Sequence, residues 1–142
     1  MDIVTIKERS ALMSRIRAKD TKPELIVRRL AHALGYRFRL HRRDLAGVPD
    51  LTFPARKKVL FVHGCFWHQH RGCKFAYRPK ANAKFWKRKF AANRRRDTAV
   101  LKKLKRDGWG TLIIWECETS GLDALKSRLT AYLEFAAPDS ER

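Results

Sequence analysis

Apolar residues recur along the chain at two spacings, and the switches between them mark the elements. In TKPELIVRRLAHALG, Leu25, Leu30, Ala33 and Leu34 form a stripe at helical spacing. Thr21 and Glu24 have capping-box spacing, Pro23 suits the first turn, and Gly35 supplies the stop. Thr5 and Glu8 repeat that spacing and predict a shorter basic helix through KERSALMSRIRA. Tyr36, Phe38 and Leu40 then alternate with Arg37 and Arg39, the period of a half-buried strand.

PDLTF and KKVLFVH are short β-rich runs separated by Pro54 and a basic turn, and they predict paired strands. A helix capped by Asn82 is predicted to reach about Arg106, with Phe85, Phe90, Val100, Leu101 and Leu104 inward and Gly108 ending it. WGTLIIWE makes a fourth strand, and Leu122, Leu125, Leu129 and Leu133 line a last helix. The order is two helices, three strands, a helix, a strand and a helix. That order predicts an α/β domain, a mixed four-stranded sheet flanked by helices.

Composition narrows the class. The 142 residues, 44% of them apolar, suit a single domain over 1–142, with residues 1–20 as a basic arm and 137–142 as a mobile tail. Three cysteines cannot all pair, and neither a signal-like nor a membrane-length apolar run occurs. A cytoplasmic protein with reduced thiols is expected. Thirty-three Lys and Arg against fourteen Asp and Glu leave a charge of +19, which makes nucleic acid the leading partner. Charge alone does not separate an enzyme from a basic binding module.

The densest chemistry lies in VHGCFWHQHRGC, Val62 to Cys73. Cys65, His70 and Cys73, with Cys117 after the fourth strand, are nitrogen and sulfur donors suited to tetrahedral zinc. His68 is a fifth candidate for four places, and spacing does not choose between them. Asp50 opens an apolar strand in an acid-poor chain, so its carboxylate needs a partner or a cation. In a phosphodiester-cleaving enzyme that cation would be Mg2+.

His63 ends the paired strand, and Glu24 and His68 are further proton carriers that could join it. His63 and His68 titrate near neutrality when unperturbed, and Asp97 could orient one of them. His32 and His41 have no such company and are read as structural. Phe66, Trp67 and Trp86 could wedge between bases, although aromatic residues more often cover a small core.

PDLTF, VLFVHGCFWHQHRGC, FWKRKFAANRRRD and GWGTLIIWECE together resemble the very short patch repair endonucleases, the Vsr-type mismatch nickases, from about Arg9 to Cys117. The resemblance implies a restriction-endonuclease-like fold with a structural zinc site, and Mg2+-dependent nicking of double-stranded DNA beside a T:G mismatch. It implies Asp50 as the Mg2+ ligand with the main-chain carbonyl of Val62, His63 and His68 as catalytic histidines, Glu24 near the metal water, and Asp97 as a histidine's partner.

It further implies Cys65, His70, Cys73 and Cys117 as zinc ligands, which moves His68 to the chemistry, and Phe66, Trp67 and Trp86 as the wedge. A monomer is implied, with room for a mismatch-repair accessory protein. Two departures stand out. Val62 replaces a threonine, and two residues rather than one separate His70 from Cys73. A restriction-type or other repair endonuclease of the same fold, and a zinc-stabilised DNA-binding module without activity, are the competing expectations.

Overall fold

The computed structural model describes residues 20–135. The expected helix over 7–18, the rest of the arm and the tail at 137–142 lie outside them. Helix α1, Lys22–Ala33, begins as predicted, with Thr21 Oγ1 accepting from the Glu24 amide. It ends at Gly35, whose φ of +89° permits the reversal that lets Tyr36 N–H reach the Ala31 carbonyl. Its fully buried face is Val27 and Ala31, with Ile26, Leu30 and Leu34 packed beside them, while Ala33 is exposed. The predicted stripe is therefore rotated toward Val27.

Strand β1 is only Arg39–Leu40, shorter than the alternation predicts, and Leu40 is exposed. Tyr36 and Phe38 still reach the core, placing their rings edge-on to Phe53, but their backbone lies outside the ladder. Strand β2, Leu51–Phe53, pairs antiparallel with β3, Lys58–His63, in the register Leu51↔Leu60. A 3-10 turn at Pro54–Arg56 and a left-handed Lys57 join them.

Parallel strands require a long crossover. Here it contains the VHGCFWHQHRGC loop and α2, Ala83–Arg106, before β4, Gly110–Trp115, pairs with β3 from Lys58↔Gly110 to His63↔Trp115. The sheet order is β1-β2-β3-β4, the mixed sheet predicted. After a 3-10 turn at Glu116–Ser120, α3 spans Leu122–Glu134.

The sheet has two covered faces. Leu51, Phe53, Leu60, Leu112 and Ile114 pack with Val27, Ala31, Leu125 and Leu129 on the α1 and α3 side. Val59, Phe61 and Leu104 form the smaller cluster under α2. Because strand side chains alternate, His63 follows Val59 and Phe61 onto the α2 face, and Val62 points to the other. Lys58 Nζ donates to the Tyr132 carbonyl at 2.6 Å, a cation at the end of α3.

Three further predicted details fail. Asn82 precedes α2 with φ +58° and no side-chain cap bond, Phe85 is 58% exposed, and Leu122 is 56% exposed. Each lies in the first turn of its helix or just before it, where a stripe extrapolated outward overruns the layer beneath. Among the described residues, no helix is long and apolar enough to cross a membrane.

Candidate active site and metal centre

Asp50 is positioned by the turn before β2. Gly47 has φ +73°, and a Cβ there would stand 2.5 Å from Val100 Cγ1, so the turn packs tightly on α2 only as glycine. Asp50 Oδ2 accepts from the Val62 amide at 2.7 Å, linking the start of β2 to the end of β3. Burial pushes the Asp50 carboxyl up to about 7, and the nearby charge of Glu24 adds to that, against the opposing Val62 N–H and Arg28.

Continuing the register puts Pro49 opposite Val62, and proline has no N–H to offer. The N–H and C=O of one strand residue point the same way, so the Val62 carbonyl faces this edge without a ladder donor.

Across the cleft, His68 Nδ1 lies 2.6 Å from Asp97 Oδ2 on α2, the pairing expected for that carboxylate. The His63 ring stacks on His68 with centroids 3.7 Å apart, and its Nδ1 is buried without a hydrogen-bond partner. Burial holds His63 down at about 4, and the charge of His68 contributes. A cleft of about 320 Å³ is lined by Asp50, Val62, His63, His68, Arg96 and Asp97. The structure thus brings Asp50, His63, His68 and Asp97 together around one cleft.

Glu24 is 1% exposed and borders Asp50. Its Oε1 accepts from the Asp20 amide, and Arg28 bonds both its Oε2 and Asp20. His41, read from sequence as structural, stands in this group: Nε2 is 2.8 Å from Glu24 Oε2 and 3.9 Å from Asp50 Oδ1. Periodicity gives no hint of this. The signal is in strand pairing, since the rung after Leu40↔Leu51 bonds His41 N–H to the Asp50 carbonyl. His32 remains an exposed residue of α1.

The second centre ties the crossover loop to the end of β4. Cys65, His70, Cys73 and Cys117 offer ligand atoms within 4.8 Å of one another. His70 Nδ1 lies 3.7 Å from Cys65 Sγ and 3.5 Å from Cys117 Sγ. Sulfur and nitrogen ligands of a tetrahedral ion stand about 3.6 Å apart, so this group fits a metal without rearrangement. The loop is shaped to present them: His70 N–H bonds the Cys65 carbonyl, Gln69 takes φ +46°, and the His70 ring stacks on Trp115 at 4.1 Å. Without an ion, burial pushes the Cys65 thiol up to about 12 and raises that of Cys117, while the Phe75 amide lowers that of Cys73. A bound cation would reverse the two burial effects.

Phe66 and Trp67 pack with Trp86 and Phe90 on α2, and Asn93 Nδ2 donates to the Trp67 carbonyl. Trp86 is buried, while Phe66 and Trp67 are half-exposed. The three aromatic residues form a satellite core beside the cleft.

Comparison with known proteins agrees with this arrangement. The family model described as DNA mismatch endonuclease Vsr matches residues 1–74. The type II nicking enzyme V.XorIIP of Xanthomonas oryzae pv. oryzae is 48% identical over 133 residues, covering 94% of this chain and 97% of that protein. The type II nicking enzyme V.NmeAIP of Neisseria meningitidis serogroup A is 37% identical, covering 90% and 91%. The DNA mismatch endonuclease Vsr of Escherichia coli is 35% identical, covering 91% and 85%. With its mixed sheet, its paired histidine and aspartate, and these relatives spanning nearly the whole chain, the protein belongs to the Vsr family of DNA mismatch endonucleases.

Proposed function

We propose that this endonuclease nicks one strand of duplex DNA beside a T:G mismatch, using Mg2+ at Asp50 and a structural zinc at the Cys65, His70, Cys73 and Cys117 group. The observation that carries the proposal is the pairing of His68 with Asp97, stacked against His63 in the cleft that holds Asp50. Oxygen donors suit Mg2+, and Asp50 with the Val62 carbonyl supplies two, so the lost threonine hydroxyl at position 62 leaves the main-chain contact available. Bound there, Mg2+ would polarise the phosphate and offset the charge developing on it.

The side chains account for the proton movements. Asp97 accepts from His68 Nδ1–H, which fixes the tautomer and leaves Nε2 to take a proton from the attacking water. Burial favours a neutral His63, whose ring then contributes hydrogen bonding to the phosphate or the leaving oxygen. Glu24 orients water near Asp50, and Arg96 contributes positive charge to the cleft wall. Phe66 and Trp67, braced by Trp86, serve as the wedge, since a half-exposed aromatic pair can unstack a base step. The enzyme is read as a cytoplasmic monomer.

Asp50→Ala is expected to abolish nicking of a labelled T:G duplex while DNA binding survives. Wild-type nicking by that variant contradicts the cleavage mechanism. Trp67→Ala tests the wedge through the ratio of affinities for mismatched and matched duplexes. That ratio is expected to fall, and an unchanged ratio removes Trp67 from recognition.

A further inference from the structure

We infer that Tyr77 extends the aromatic wedge: the open face of its ring stacks on a base of the step that Phe66 enters, and the preference for a mismatched duplex depends on that contact. The inference rests on the proposed role of Phe66 and Trp67 as the wedge. Exposure sets Tyr77 apart. Within the aromatic group Trp86 and Phe90 are buried, Phe66 and Trp67 are half-exposed, and Tyr77 is 61% exposed. A buried ring must leave its packing to meet a base, and Tyr77 need not. Phe85 is exposed as well, but the ring it abuts is the buried Trp86, whereas Tyr77 abuts Phe66 itself.

The ring is also held in place before any ligand arrives. Its centroid lies 5.1 Å from that of Phe66 with the planes inclined at 37°, so Phe66 supports the ring while most of its surface stays open. The chain behind it is fixed twice. Gln69 is buried, and its Nε2 donates to the Phe66 carbonyl at 2.8 Å and to the Tyr77 carbonyl at 3.4 Å. Ala76 N–H bonds the Cys73 carbonyl, which ties the approach to Tyr77 to the Cys65, His70, Cys73 and Cys117 group. An aromatic side chain with few rotatable bonds and a braced backbone loses little freedom on binding.

The surrounding charge identifies the partner. Lys74, Arg78 and Lys80 on the same loop are exposed, as are Lys84 and Lys87 at the start of α2. No Asp or Glu occurs between Asp50 and Asp97. An exposed ring set among cations, with no carboxylate in its segment, suits a base carried on a phosphate backbone.

The test uses the full, zinc-loaded chain without added Mg2+, so that the duplex stays intact, and places 5-iodouracil at positions on either side of a T:G pair. Irradiation is expected to cross-link Tyr77 to a base next to the mismatch, and the yield should fall several-fold when the pair is matched. Tyr77→Ala should raise the Kd for the T:G duplex about tenfold and that for the matched duplex by less than about twofold, with the thermal midpoint unchanged. Tyr77→Phe should restore the parent affinity, since stacking needs the ring and not the hydroxyl.

Failure of Tyr77→Phe to restore affinity assigns the effect to the hydroxyl, and an equal loss on both duplexes makes Tyr77 a general DNA contact; either result overturns the inference. Cross-links confined to Phe66 or Trp67 overturn it too, and leave the wedge standing. If the preference for T:G survives Trp67→Ala and Tyr77→Ala alike, both readings fall.

Discussion

At the residue scale, the contact on which the proposed mechanism turns is the one between His68 and Asp97. A carboxylate at 2.6 Å fixes which ring nitrogen carries the proton, and thereby which is left to accept one. Asp97→Asn should preserve packing but not the preference for that tautomer, and nicking under saturating DNA is expected to slow by about 100-fold or more. An unchanged single-turnover rate would remove Asp97 from the mechanism. Residue types allowed Asp97 to orient either histidine, but an acid beside Arg94, Arg95 and Arg96 could equally be a solvated charge, so the pairing with His68 is visible only in the fold. They could not point to His41, whose place depends on a strand rung between β1 and β2. The alternation through Leu40 announces a strand but not which residue of β2 it meets, so the rung that places His41 leaves no trace in the sequence.

At the scale of elements, the loop between β3 and α2 contributes to both candidate sites. His63 and His68 face the cleft, and Cys65, His70 and Cys73 turn toward Cys117 at the far end of β4. One ion at the second group would cross-link the loop to the sheet end and fix the histidine pair relative to Asp50. Metal analysis of the purified protein is expected to find about one zinc equivalent, and chelation should lower the thermal midpoint and the rate of nicking together. Absence of zinc, or a midpoint indifferent to its removal, would contradict the structural role.

The strands β2, β3 and β4 were readable because continuous apolar runs bounded by Pro and Gly leave few alternatives. Helix starts were less so. The Thr21 cap formed, whereas the residue at Asn82 is turned left-handed and Phe85 projects past the layer that buries Phe90. Periodicity shows which residues share a face, but not how far along the helix that face stays covered.

At the scale of the whole molecule, a charge of +19 supplies affinity for any duplex, and that affinity should weaken steeply with salt. In the proposed function, selectivity rests on the aromatic group beside the cleft and on whether the scissile phosphate reaches Asp50 and His68. The mixed sheet brings the start of β2 beside the end of β3, with α2 across from them, so a single cleft receives residues from Asp50 to Asp97. The most direct measurement incubates the enzyme and Mg2+ with end-labelled duplexes that differ only in a T:G or a matched pair, and scores each strand separately. The account predicts a single nick in one strand of the mismatched duplex and none without Mg2+. Cleavage of both strands of the matched duplex, or nicking indifferent to the mismatch, would contradict it.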